Sequence, residues 1–213
     1  GIIVPDALLG EVTPLMAKAV SESAAKKLLI PLNRCDVLIA GTESRSTGEL
    51  LEGKIGLVRI ANFNTNCAKE TIALVKDLQA QGADKLIFDV RNNPGGYVSE
   101  LVKTLDYLLP EGVLFRQEDY RGAKSEDHSD AECLKLPMAV LVNGSSYSAA
   151  EFFAAALREY DWAIVVGEKT SGKGHFQVTY PLSDGSAVGL SIGKYFTPKG
   201  QCLEGVGLTP DVP

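Results

Sequence analysis

The chain is predicted to be an α/β protein with a mostly parallel sheet, flanking helices and a C-terminal β-hairpin. From Lys54 onward, short apolar runs rich in branched side chains alternate with longer segments whose apolar residues recur at helical spacing. That alternation is the pattern of strands and helices wound into a buried parallel sheet. Near the end the pattern changes, and two runs flank the Asp184-Gly185 pair, a dipeptide suited to a two-residue hairpin turn. With 213 residues and 45% hydrophobic composition, the chain can bury one sizeable core.

Residues 1–53 read as a separate N-terminal helix and linker segment. Thr13-Pro14 looks like an N-cap followed by a first-turn proline, and Met16, Val20, Ala24 and Leu28 recur at helical spacing until Pro31. Asp36–Gly41 is expected as a short strand and Gly41–Gly48 as a polar loop. The core then runs over 54–213. Its strands are expected at 55–60, 85–90, 138–142 and 163–166, and its helices at about 66–80, through Leu101, Val102, Leu105, Leu108 and Leu109 up to Pro110, and at 148–159. Val113–Phe115 is expected as a connection, and the acidic, poorly patterned stretch 118–135 as a mobile surface loop with His128 solvated. The hairpin around Asp184-Gly185 is expected to close the sheet.

The formal charge of −6 and isoelectric point near 5.0 argue against a nucleic-acid partner, because no basic stripe with interleaved aromatics occurs. Cysteines at 35, 67, 133 and 202 have no C-x-x-C spacing and only His128 and His175 to join them, so no metal and no cofactor is expected. Cys67 and Cys202 fall in or beside apolar patterns and are expected as buried thiols. No stretch approaches the roughly 20 apolar residues of a membrane span, and no basic-then-apolar leader opens the chain.

Two motifs point to chemistry. Asn143-Gly-Ser-Ser-Tyr-Ser148-Ala-Ala-Glu151 follows an apolar strand and precedes an alanine-rich helix, and Thr170-Ser-Gly-Lys173-Gly-His-Phe-Gln177 sets a lysine between glycines. A serine hydroxyl attacks a carbonyl poorly unless a neighbour takes its proton, and a lysine amine does so once desolvation favours its neutral form. Burial is expected to supply that, with Gly172 and Gly174 letting the backbone pass close to a helix end or substrate. Gln177 has the chemistry to hydrogen bond the neutral amine without adding charge. Read singly, Ser148 is an ordinary helix N-cap and Lys173 a solvated lysine; the pairing of the motifs favours a nucleophile and its base. Ser145 and Ser146 compete with Ser148, and His175 would suit a Ser-His-Asp triad.

The chain resembles the S41 serine endopeptidases, the C-terminal processing or tail-specific proteases. The resemblance rests on Ile55–Ile60, Phe88-Asp-Val-Arg-Asn-Asn-Pro-Gly-Gly96, Val140–Asn143 with Ser148–Glu151, Gly167–Lys173, and Tyr195–Gly200 with Gly205 and Pro210-Asp211. It implies a crotonase-like (ClpP/crotonase) core, Ser148 as nucleophile, Lys173 as base and Gln177 as its orienting group. It also implies an oxyanion hole of backbone N–H groups at Gly95, Gly96 and Ala149. Glu151, one helical turn after Ser148, and Thr170, three residues before Lys173, either support the pair or merely cap and pack. The implied substrate is a protein with an apolar, disordered C-terminus bound extended at a sheet edge, in an extracytoplasmic setting that allows homo-oligomers. Processing relatives usually carry a PDZ domain ahead of the first core strand, and 1–53 are too few to hold it together with a helical segment. The alternative is a noncatalytic module binding an apolar ligand or peptide on the same scaffold; an acyl-thioester enzyme using the oxyanion hole alone would leave the Ser-Lys pair without purpose.

Overall fold

The computed structural model describes residues 46–182 and 184–213; the helix expected after Thr13 and the strand expected at 36–41 lie outside them. The chain divides into a body, comprising the described residues up to 176 together with 192–213, and the outer part of a hairpin, 177–191.

The body is built on a five-stranded sheet of order β1-β2-β3-β6-β7. Its strands are β1 (Thr47–Leu51), β2 (Ile55–Arg59), β3 (Lys85–Asp89), β6 (Met138–Val142) and β7 (Ala163–Gly167). Only β1 runs antiparallel to its neighbour; β2, β3, β6 and β7 are parallel, with Val58 opposite Phe88, Phe88 opposite Val140 and Val140 opposite Val165. These four are wholly buried, as expected of strands covered on both faces. Helices α1 (Cys67–Ala80), α2 (Val98–Leu108) and α3 (Ala149–Glu159) connect them. The fold class is therefore the one the alternation implies.

Three local expectations are corrected. Thr47–Leu51 is an edge strand rather than the end of a loop: its side chains are mostly exposed, so no alternating apolar face betrays it, and the ladder to β2 alone defines it. Residues 112–119 form β4 and 124–129 form β5, an antiparallel pair where a connection and a loop were expected. The β5 sequence KSEDHS is solvent-facing, and such a strand carries no hydrophobic signal. His128 is exposed there, as expected, beside Glu126. Finally, the hairpin of β8 (His175–Pro181) and β9 (Ala187–Phe196) does not close the parallel sheet; it continues β4 in a second sheet of order β5-β4-β9-β8.

Helix α3 explains how two sheets make one core. Residues 149–157 are all buried, and a helix apolar on every side must be covered on every side. Phe153 meets Phe88 and Phe63 at ring-centroid distances of 5.4 and 5.8 Å, whereas Phe152 meets Phe115 of β4 and Tyr195 of β9 at 5.3 and 5.8 Å. Burial raises the Tyr195 hydroxyl to about 12 and the Cys67 thiol to about 11. Cys67 is buried as expected; Cys202 is only partly so. In the outer hairpin, Leu182 N–H donates to Ser186 O at 2.7 Å around Asp184-Gly185, where the sequence places the turn.

Candidate active site

The loops leaving the carboxyl ends of β3, β6 and β7 carry the two motifs and the glycine turn. Carboxyl ends of parallel strands are where open α/β sheets place their ligand crevices. The first loop is anchored by Asp89, whose side chain is nearly buried. Arg91 donates its Nε to Oδ1 and its Nη2 to Oδ2, each at 2.9 Å, and Arg59 Nε reaches Oδ2 at 3.2 Å. Burial alone would raise the Asp89 pKa, but these donors and the Arg91 N–H outweigh it and hold the carboxyl below its usual range.

Beyond that anchor, Asn93 is fully buried. Its Nδ2 donates to Ile60 O at 2.7 Å, its Oδ1 accepts Gly95 N–H at 2.8 Å, and its carbonyl accepts Tyr147 N–H at 2.9 Å. Asn143 joins the same two loops through Asn92, Nδ2 to Oδ1 at 3.0 Å and N–H of Asn92 to its own Oδ1 at 3.0 Å. The Asn-Asn-Pro-Gly-Gly turn and the serine turn are thereby one hydrogen-bonded unit. Both asparagines stand inside the quoted motifs, yet type and spacing alone do not show which partners they reach.

Ser148 is the N-cap residue of α3 with φ 52° and ψ −119°, unlike the extended geometry usual for a cap. A non-glycine residue in that region is strained and persists only where its surroundings hold it, which is typical of functional turns. Gly95 (φ +90°) passes so close that a Cβ there would stand 2.9 Å from Ser148 Cβ and 3.0 Å from Ala149 N. Ser146, by contrast, is wholly buried, donates to Val90 O at 2.8 Å and accepts Asn143 N–H at 3.1 Å; it is a structural serine. Ser145 is exposed.

The residue that unites the motifs is Glu151. It is fully buried, one turn into α3. Oε2 accepts the N–H groups of Ser148 at 2.8 Å and Lys173 at 2.9 Å; Oε1 accepts the Thr170 hydroxyl at 2.5 Å and Gly172 N–H at 2.7 Å. All four partners donate, which suits a buried carboxylate. Thr170 Oγ1 in turn accepts Leu208 N–H at 2.7 Å.

Gly95 N–H is engaged by Asn93, whereas the N–H groups of Gly96 and Ala149 have no partner among the described residues. Lys173 is exposed, which corrects the dry setting expected for its amine. The protein buries the flanking glycines and ties down the loop's main chain, but leaves the side chain between them open. The glycines pass close to the 203–207 turn rather than to a helix end: a Cβ on Gly172 or Gly174 would stand 2.8 Å from Gly207 N or 2.7 Å from Glu204 N. Gln177 lies in the outer hairpin on β8 and is exposed. His175 Nδ1 lies 2.9 Å from Glu204 Oε2, a pairing with no local signal in the sequence.

Comparison with known proteins covers this same region. A carboxyl-terminal-processing protease of Synechocystis sp. is 35% identical over 158 residues, spanning 74% of this chain and 37% of its own length. The chloroplastic carboxyl-terminal-processing peptidase 2 of Arabidopsis thaliana is 35% identical over 163 residues, spanning 75% of this chain and 32% of its own. The chain thus spans about a third of the length of the curated relatives it matches. The solved photosystem II D1 C-terminal processing protease superposes with a TM-score of 0.69 at 34% identity, covering 76% of this chain and 44% of its own. A model for a domain of unknown function (DUF3842) matches residues 1–62. The Peptidase family S41 model matches residues 54–213. A match that runs from β2 to the end of the chain and includes every turn around Ser148 leaves one conclusion: this chain belongs to peptidase family S41.

Proposed function

We propose that residues 54–213 are the catalytic core of a serine endopeptidase that cuts protein chains near their C-termini through an acyl-enzyme on Ser148. The observation that carries this reading is the shared carboxylate oxygen: Glu151 Oε2 accepts the N–H of Ser148 and that of Lys173, so the turn presenting the hydroxyl and the loop presenting the amine are tied at one atom. In the first step Ser148 Oγ bonds to the scissile carbonyl carbon as Lys173 takes the hydroxyl proton. Collapse breaks the C–N bond, Lys173 returns the proton to the leaving amine, and water then cleaves the ester and restores the serine.

The developing oxyanion is assigned to the N–H groups of Gly96 and Ala149; removing one such donor typically costs 10²–10³ in rate. Gly95 serves instead by having no side chain where Ser148 stands. Because Lys173 is exposed, the desolvation it needs is assigned to the substrate, an extended apolar C-terminal segment laid over the site by β-augmentation. Gln177 is assigned to orient the amine. The processing-protease relatives motivate the choice of C-terminal tails and of an extracytoplasmic setting. No helix among the described residues is long and apolar enough to cross a membrane. Residues 1–53 are assigned to an N-terminal segment whose last part, β1, joins the core sheet.

One observation favours a second reading. His175 Nδ1 against Glu204 is the arrangement of a base and its orienting carboxylate, as in a Ser-His-acid site. A fluorophosphonate probe tests both readings. We expect Ser148→Ala and Lys173→Ala to abolish labelling and His175→Ala to retain it. Labelling lost in His175→Ala but kept in Lys173→Ala transfers the base role, and no labelling of the wild-type chain favours a noncatalytic binding module.

A further inference from the structure

Besides Glu151, one other carboxylate grips the loop that carries Lys173. Glu204 lies on the turn 203–207, anchored by the buried Leu203 and Leu208. Its Oε2 accepts Gly174 N–H at 2.5 Å and faces His175 Nδ1 at 2.9 Å. The same turn holds the loop by its main chain, Gly205 N–H donating to Gly172 O at 2.8 Å. Three successive N–H groups therefore end on carboxylates: those of Gly172 and Lys173 on Glu151, and that of Gly174 on Glu204.

We propose that Glu204 is a positioning residue for the base, the outer half of a two-carboxylate clamp on the backbone either side of Lys173. This rests on Lys173 being that base. Glu151 fixes the peptide planes entering residues 172 and 173 but leaves the plane between Lys173 and Gly174 free to rotate. Glycine at 174 offers little resistance of its own. The bond from Gly174 N–H to Glu204 locks that plane, and with it the direction in which a long, exposed side chain leaves the loop. His175 Nδ1 meets the same carboxylate oxygen and helps to orient it. Burial works against the ionised form of Glu204, but the Gly174 N–H and His175 outweigh it and hold its carboxyl below the usual range. A charge-assisted acceptor thus remains in place at neutral pH.

The test uses the full chain, a fluorophosphonate probe for the labelling rate, and an unstructured peptide with an apolar C-terminus for turnover, with thermal unfolding confirming that each variant is folded. Glu204→Ala is expected to lower kcat and the labelling rate together by about 10- to 100-fold, the scale of a displaced catalytic group, with KM within about twofold. Glu204→Gln, whose amide oxygen still accepts Gly174 N–H, is expected to recover most of the loss. Lys173→Ala is the control. Wild-type labelling in Lys173→Ala refutes the base assignment itself. If Lys173→Ala is inert but Glu204→Ala labels at the wild-type rate, the clamp alone is refuted. It is also refuted if KM rises while kcat holds, or if Gln is as impaired as Ala.

Discussion

Replacing Glu151 by glutamine isolates the contact on which the site is built. The carboxylate accepts four donors, two on each oxygen, in a fully buried position. An amide keeps one oxygen and replaces the other with a donor. If its nitrogen takes the place of Oε2, it faces the N–H groups of both Ser148 and Lys173, and neither can rotate away. If it takes the place of Oε1, the Thr170 hydroxyl can turn and accept at the expense of its own acceptor, and the buried Gly172 N–H is left unpaired. The second orientation is preferred. An orphaned buried donor costs about 1–3 kcal/mol, and loss of charge weakens the two retained bonds from the 1.5–3 kcal/mol range toward about 1 each. Release of a buried charge offsets part of this, so Glu151→Gln is expected to lose about 3 kcal/mol. Urea unfolding at neutral pH reads the difference through the midpoint at constant slope. Activity should fall but persist, because the oxygen shared by Ser148 and Lys173 survives in the preferred orientation. A stability change under about 0.5 kcal/mol, the range of ordinary surface substitutions, would refute the argument that this carboxylate holds the two motifs together.

Other outcomes follow from the same geometry. Ser148→Gly should abolish fluorophosphonate labelling yet be more stable than Ser148→Ala by about 1 kcal/mol, since only glycine relieves the φ 52° backbone; equal unfolding midpoints would show the turn unstrained. Gly95→Ala introduces a methyl 2.9 Å from both Ser148 Cβ and Tyr147 O at φ +90°, and is expected to cut the labelling rate by about 10²-fold through displacement of the nucleophile, which a labelling time course would measure. Asp89→Asn probes pH linkage. The folded pKa of Asp89 is lowered, so its contribution is fully present above the unfolded aspartate pKa and is lost as pH falls through the folded value. Wild type should exceed Asp89→Asn in urea stability at neutral pH, and the gap should close in acid below the ordinary aspartate range; a pH-independent gap would contradict this.

Much of the parallel core was legible because strands buried on both faces have no alternative to continuous apolar runs: 55–59, 85–89, 138–142 and 163–167 announce themselves by composition. The strands β1 and β5 did not, since a strand whose side chains mostly face water is defined by a partner's backbone rather than by its own residues; in β4 the apolar run Val113–Phe115 is too short to mark the eight-residue strand around it. The same division runs through the site. Residue type and motif marked Ser148 and Lys173 as candidates, because an activated hydroxyl needs a neighbouring base. Sequence could not reveal that one buried carboxylate joins the two motifs, that Gly95 N–H is already spent on Asn93, that Lys173 stands open to solvent, or that Glu204 grips its loop. The Glu151–Lys173 and Glu204–Gly174 contacts are long-range, whereas the Asn93–Gly95 bond is local but one of several a turn of this composition allows. Which donor meets which acceptor across tens of residues depends on how two sheets close around α3, and no short stretch of chain encodes that closure.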